Sequence, residues 1–117
     1  MSSTIKAQVL KRAIELYDQP WKRCTGPLWN SRGQHCALGA LFRADHEVRG
    51  ARLPINSLWG ILLPVRVWRE IRHGKALARG MLGLSLWEVF DRNERGYCGG
   101  QEDILHRLRR ALAKELA

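Results

Sequence analysis

The most reactive side chains in this sequence are three cysteines and four histidines. Cys36 follows His35 and is expected in the first turn of a helix, where the N-terminal dipole and a nearby imidazolium lower a thiol pKa. Cys98 precedes Gly99 and Gly100 at the start of another expected helix, a similar setting. A cysteine-dependent enzyme with a histidine base is one hypothesis. However, adjacent residues point apart, and no third orienting residue can be named.

A structural role for Cys36 is the competing interpretation. No residue from Cys36 to Phe42 is polar, and a helix that is apolar on all sides must be surrounded by other elements. Gly39 and Ala40 would give this helix a small-residue surface that admits another backbone. We therefore expect Cys36 to be buried and inert, and Cys98 to be the more accessible thiol.

A zinc site is a further hypothesis for the cysteines. Four ligands could come from Cys24, His35, Cys36 and Cys98. Their spacing lacks the closely spaced cysteine pairs that are typical of zinc sites. The sequence therefore predicts no metal site and no cofactor.

The loop over residues 91–102 resembles an EF-hand calcium loop. Asp91, Asn93, Gly96 and Glu102 match its positions 1, 3, 6 and 12. Arg95 places a cation at position 5, where the site needs an oxygen ligand. The alternative is an ordinary connection between two helices, and no metal is predicted here.

The strongest surface signal is the positive charge of residues 49–79. The chain carries a formal net charge of +9, and fifteen of its twenty basic residues are arginine, which binds phosphate in a bidentate manner. Trp59 and Trp68 lie in the same segment, and cations with aromatic rings are typical of single-strand binding surfaces. If both tryptophans are buried and the arginines only solvated, no site exists. The predicted nucleic-acid or partner-binding residues are Arg49, Arg52, Arg66, Arg69, Arg72, His73, Lys75 and Arg79.

These residues must be positioned by a mainly α domain spanning residues 1–117. The hydrophobic pattern predicts a compact bundle of four to five helices around a central apolar helix at about 35–45. A small β-hairpin near 22–29 is compatible with the pattern. Glycine and proline positions predict a helix over Val65–Arg72 that stops at Gly74, and an irregular segment over Lys75–Leu84. Capping-box spacing begins a short helix at Ser85.

The first half of the chain resembles an uncharacterised family of small actinobacterial and actinophage proteins. The resemblance covers about residues 7–44, with an amphipathic helix, a tryptophan-containing turn and a C-A-L-G-A-L helix. The matching residues are Trp21, Gly33, Cys36, Ala37, Leu38, Gly39, Ala40 and Leu41. The family's Trp-Asn-Asp step is only echoed by Val89-Phe90-Asp91. The resemblance implies a phage or prophage setting and no particular activity.

We predict a small basic, non-enzymatic, phage- or prophage-related protein that binds nucleic acid through residues 49–79. The alternative is a protein-interaction module that modulates a host protein or forms a homodimer, because five tryptophans exceed the needs of a small core. A cysteine-dependent enzyme is the remote alternative. The polar, basic N-terminus and the absence of a long apolar run predict a cytoplasmic protein without membrane contact.

Overall fold

The computed structural model describes residues 4–25, 28–53, 64–94 and 99–117, with the backbone alone for residues 64–68 and 70. The described part is mainly helical, as predicted. None of its helices is long and apolar enough to cross a membrane. Its elements are α1 (Ile5–Tyr17), a 3-10 turn (Pro20–Lys22), α2 (Ala37–Arg49), α3 (Pro64–Leu77), a π turn (Ala78–Leu82), α4 (Leu86–Glu94) and α5 (Gly100–Leu116).

Helix α2 is the centre of the fold. Its residues 37–42, together with Ala44 and Asp45, are all buried. Helices α1, α3 and α4 pack directly on it, and α5 packs against α1 and α4. The prediction of a central apolar helix is therefore confirmed. Cys36 is its N-cap, and the Cys36 Sγ accepts a hydrogen bond from the Gly39 N–H at 3.3 Å.

Gly39 lets the loop before α2 lie directly against the helix. A Cβ atom at this position would stand 1.8 Å from the carbonyl oxygen of Leu28, which no real contact allows. That carbonyl also accepts a hydrogen bond from the Cys36 N–H at 3.0 Å. The expected close approach of a second backbone is thus confirmed, and the backbone concerned is the loop at Leu28.

The strand-like contacts near this loop differ from the hairpin considered over 22–29. Arg23 and Trp29 each form an isolated bridge with His35, one parallel and one antiparallel. Among the described residues, the segments around Arg23 and Trp29 thus pair with His35, which precedes the α2 N-cap Cys36, and not with each other. The turn over residues 30–33 brings His35 between them, and the Asn30 Oδ1 accepts hydrogen bonds from the Arg32 and Gln34 N–H groups.

The helix after Pro64 is longer than predicted. It passes through Gly74 to Leu77 and continues as the π turn, so the expected stop at Gly74 and the irregular segment over 75–84 were wrong. Gly74 is a packing residue, because a Cβ atom there would lie 3.3 Å from the Phe42 Cζ atom on α2. The chain leaves the helical conformation at Gly83, whose φ is +68°.

Helix α4 begins with the predicted capping box. The Ser85 N–H donates to the Glu88 carboxylate at 3.0 Å, and the Glu88 N–H donates to the Ser85 Oγ at 3.2 Å. Both bonds satisfy N–H groups that a helix start leaves without partners. Helix α4 then runs as far as Glu94.

Candidate nucleic-acid interface

The basic residues of α3 and the π turn project into solvent. Arg69, Arg72, Lys75 and Arg79 are all exposed. At about 100° per residue they occupy one side of the helix. None of the four has an ion pair with a carboxylate in the part of the chain described above. We call this set the α3 basic face.

The other predicted binding residues either lie outside the α3 basic face or have side chains that the structure does not describe. Arg52 is exposed just after α2, whereas the Arg49 Nε lies 3.3 Å from the buried Asp45 carboxylate, so that its charge is partly compensated. The side chains of Arg66 and Trp68, and the whole of Trp59, lie outside the described residues. The predicted pairing of arginines with these two tryptophans therefore stays a prediction.

A buried acid on α2 fixes the orientation of α3. Asp45 is 1% exposed, and its Oδ2 lies 2.7 Å from the Nε2 of His73. The His73 ring also packs on the Phe42 ring, with centroids 5.5 Å apart. Arg72, Lys75 and Arg79 lie about 100–160° around the helix axis from His73 and so face away from α2. Arg69 is four residues before His73 and lies at the edge of the face that packs on α2. His73 is thus a docking residue on α3 in this structure.

Sequence reasoning missed a second group of cations beside Arg79. Arg107, Arg110 and Lys114 on α5, with Lys6 on α1, line the same groove as Arg79. In the sequence the net positive charge is concentrated in residues 49–79, because residues 80–117 have equal numbers of acids and bases. The signal that could have found these residues is the helical spacing of Arg107, Arg110 and Lys114, which places them on one side of α5.

The described thiols are poorly suited to nucleophilic catalysis. Cys36 is 3% exposed, as predicted, and burial raises the pKa of its thiol to about 12. Burial also raises the pKa of the half-buried Cys24 thiol. A thiol with a raised pKa is protonated near neutral pH, and the thiolate is the reactive form. Cys98 lies outside the described residues, so its greater accessibility stays a prediction.

The candidate metal ligands are engaged in other contacts. The Asn93 Oδ1 accepts hydrogen bonds from the Tyr17 hydroxyl at 2.6 Å and from the Ala37 N–H at 3.0 Å. Glu102 accepts a hydrogen bond from the buried Arg23 at 2.7 Å. The residue at position 3 of the calcium-loop alignment, Asn93, thus serves the packing of the core, and the exposed Glu102 at position 12 pairs with a buried cation. Within the described ranges, no three His, Cys, Asp or Glu side chains are grouped to hold a metal ion.

His35 is the buried histidine of this region. Neither ring nitrogen has a partner with full hydrogen-bond geometry among the described residues. Burial, with the positive charge of Arg43, lowers the pKa of His35 below its usual 6.5, and the nearby Gly33 backbone only partly opposes this fall. The unfolded chain therefore binds a proton at a higher pH than the folded chain does. This difference makes the folded protein less stable in acid.

We expect this histidine to contribute stability that is complete above about pH 6.5 and is lost as the pH falls toward its folded-state pKa. One such group changes the free energy of unfolding by at most about 1.4 kcal/mol per pH unit. Urea unfolding of the natural protein and of His35→Phe at pH 7.5 and 5.5 measures this term. The variant should lose less stability between the two pH values, whereas the exposed His106→Gln control should follow the natural protein. Equal losses in all three proteins would contradict the assignment.

Comparisons with protein-family models, curated proteins and solved structures find no match for this chain. The resemblance of residues 7–44 to the actinobacterial and actinophage family stays a prediction. The fold and the geometry define the chain as a small helical domain with a basic surface on α3 and a second group of cations on α5.

Proposed function

We propose that this protein is a non-enzymatic nucleic-acid-binding protein that uses the α3 basic face. The observation that carries the proposal is the row of exposed cations at Arg69, Arg72, Lys75 and Arg79 without a carboxylate partner among the described residues. The positive charges of these neighbouring side chains repel one another in the free protein. Binding to phosphate groups would relieve this repulsion and would release counterions from the nucleic acid. A phage or prophage setting accompanies this proposal through the family resemblance.

Two features of the fold support a binding role for this face. Asp45, His73 and Gly74 hold α3 against α2, so the cations sit on a helix with a fixed orientation. The face then ends in a π turn, a rare conformation that is frequent at functional sites. Arginine suits phosphate because its planar guanidinium can donate two parallel hydrogen bonds.

The proposal is tested by neutralising Arg69 and Arg72 together as Arg69→Gln/Arg72→Gln. Affinity for single-stranded and duplex oligonucleotides is measured by fluorescence anisotropy over a salt series beginning at about 50 mM, where electrostatic contacts are strong. For whichever oligonucleotide the natural protein binds more tightly, we expect a Kd at least tenfold higher (~1.4 kcal/mol weaker binding). The slope of log K against log salt should fall by about one for each phosphate contact removed.

The matched control is Lys11→Gln/Arg32→Gln, which removes the same charge from exposed positions on α1 and on the turn before α2. It should change Kd and slope much less, because only the net charge of the protein has changed. Absence of binding by the natural protein at about 50 mM salt would refute the proposal. Equal effects of the two double variants would show that the α3 basic face has no special role.

A protein-interaction module is the second candidate, and two exposed tryptophans favour it. Trp87 on α4 is 77% exposed and Trp21 is 70% exposed. Tryptophan is enriched among the residues that dominate protein interfaces. Trp87 stands beside the exposed acids Glu88 and Asp91, which suit a protein partner better than a phosphate backbone. Self-association of a protein that fails the oligonucleotide titration would favour this second candidate.

A further inference from the structure

A groove runs between the π turn and the C-terminal half of α5. Its volume is about 650 Å³, and its walls carry Lys6, Arg79, Arg107, Arg110 and Lys114. The volume lies within the range of about 300–1,000 Å³ that is usual for ligand clefts. Arg79 belongs both to this groove and to the α3 basic face, so the two surfaces are continuous.

The charges in the groove are only partly compensated. Glu115 pairs with Lys6 at 3.6 Å and accepts a hydrogen bond from the Thr4 hydroxyl at 3.0 Å. Arg107 donates to Asp103 at 3.0 Å, and this carboxylate is shared with Arg92. Glu115, the acid of the groove, is thus paired, and so are Lys6 and Arg107, two of the five cations in the groove.

Three cations remain available for a ligand. Arg79, Arg110 and Lys114 have no ion pair within 4 Å of any carboxylate that the structure describes. The hydrogen bonds from Ser85 lower the pKa of the Glu88 carboxyl, and Arg79 lies near enough to Glu88 to contribute to this fall. Arg110 and Lys114 are one helical turn apart, about 6 Å along the axis, and Arg79 stands on the opposite wall. An anion with charge distributed along its length satisfies this arrangement better than a single compact ion does.

Apart from Glu115, the remaining lining is uncharged and consists of two glycines, two alanines, Met81 and Leu82. Gly80 and Gly83 contribute no side chains, and a Cβ atom at either position would meet no other atom within 4 Å. The lining includes no aromatic ring on which a base could stack. The groove therefore suits the sugar and phosphate groups of a strand, with the bases directed away from its floor.

We propose that the groove between the π turn and α5 holds the phosphodiester backbone of one nucleic-acid strand, as an extension of the α3 basic face across Arg79. This inference rests on the proposed nucleic-acid function and deepens it. A single strand is the preferred form, because a flexible backbone can bend into a concave groove that a stiff duplex cannot enter.

The test is the double variant Arg110→Gln/Lys114→Gln, titrated with a labelled single-stranded oligonucleotide and with the matching duplex. We expect at least tenfold weaker single-strand binding and a salt slope smaller by about 1.4, because each single-strand phosphate contact contributes about 0.7. Duplex binding should change less. The control is Arg109→Gln/Lys11→Gln, which removes equal charge from exposed positions outside the groove. Arg109 lies on the same turn of α5, so this control also tests for an effect on the helix itself.

A second test compares two substitutions of Gly80, one charged and one neutral, that remove no native side-chain contact. Gly80→Glu puts a carboxylate into the open space of the groove, and Gly80→Gln puts in a neutral side chain of similar size. Only the Glu variant should weaken single-strand binding about tenfold, whereas equal weakening by both variants would indicate obstruction and contradict the electrostatic role. Circular dichroism checks that all variants remain folded.

The outcomes separate this inference from the proposed function. If the natural protein binds no oligonucleotide, the proposed function fails and the groove assignment fails with it. If Arg69→Gln/Arg72→Gln weakens binding while Arg110→Gln/Lys114→Gln matches its control, the α3 basic face remains and the groove assignment alone is refuted. A loss that is as large for the duplex as for the single strand would also refute the single-strand assignment.

Discussion

Replacing Gly39 by alanine is expected to destabilise the protein by about 3 kcal/mol. The new methyl group would stand 1.8 Å from the Leu28 carbonyl oxygen, which belongs to the backbone and cannot rotate away as a side chain could. Either the loop separates from α2 or the helix shifts, and overpacking of this kind costs about 1–3 kcal/mol or more. Separation also breaks the hydrogen bond from the Cys36 N–H to Leu28, leaving a buried group unsatisfied at a cost of about 1–3 kcal/mol.

The opposing effect is smaller. Alanine is better than glycine inside a helix by up to about 1 kcal/mol. Equilibrium unfolding in urea measures the difference, with Gly80→Ala as the control, because a Cβ atom at Gly80 meets open space. The control should be neutral or more stable by up to about 1 kcal/mol. An unfolding midpoint of Gly39→Ala equal to that of the natural protein would contradict the role assigned to the contact with Leu28.

Gly39 and Gly74 illustrate how far the sequence predicts the fold. The apolar run around Gly39 indicated a buried helix with a surface of small residues, and α2 is such a helix. Gly74 sits in a more polar stretch, where a glycine is as typical of a helix end as of a packing contact. Which of the two applies depends on the distance to Phe42, a residue on another helix. Local periodicity carries no information about that distance, so the extent of α3 could not be predicted.

The proposed binding surface could be predicted only where its residues are close together in the sequence. Net charge along the sequence identified Arg69, Arg72, Lys75 and Arg79, because these cations are local to one another. It missed Arg110 and Lys114, since the acids of residues 80–117 cancel the bases in a sum. The structure shows that Glu102 pairs with Arg23 and that Asp103 pairs with Arg92 and Arg107. Glu115, near the end of the same helix, pairs with Lys6, so Arg110 and Lys114 have no ion pair with a described carboxylate.

Asn93 was considered in the sequence only as a calcium-loop position, yet it joins three parts of the core. Its side chain accepts hydrogen bonds from Tyr17 on α1 and from the first N–H of α2, and its Nδ2 donates to the Cys24 carbonyl at 3.2 Å. The residue is 2% exposed. Burial raises the pKa of Tyr17, so the phenol stays protonated and donates its hydrogen bond over the working pH range. Tyr17, Cys24 and Ala37 are far from Asn93 in the sequence, so the sequence alone does not indicate that these residues are its partners.

We expect Asn93→Leu to destabilise the protein by at least about 3 kcal/mol. Leucine keeps the branched shape of the asparagine side chain but has larger terminal groups, so some overpacking adds to the loss. The main cost is the three polar groups left without partners, each worth about 1–3 kcal/mol. A double-mutant cycle with Tyr17→Phe tests this cause. Tyr17→Phe should cost about 1 kcal/mol in the natural protein. In the Asn93→Leu background it should cost less or be stabilising, because it removes an orphaned hydroxyl. Strictly additive losses in urea unfolding would show that Asn93 and Tyr17 stabilise the core independently and would contradict the hydrogen-bonded network.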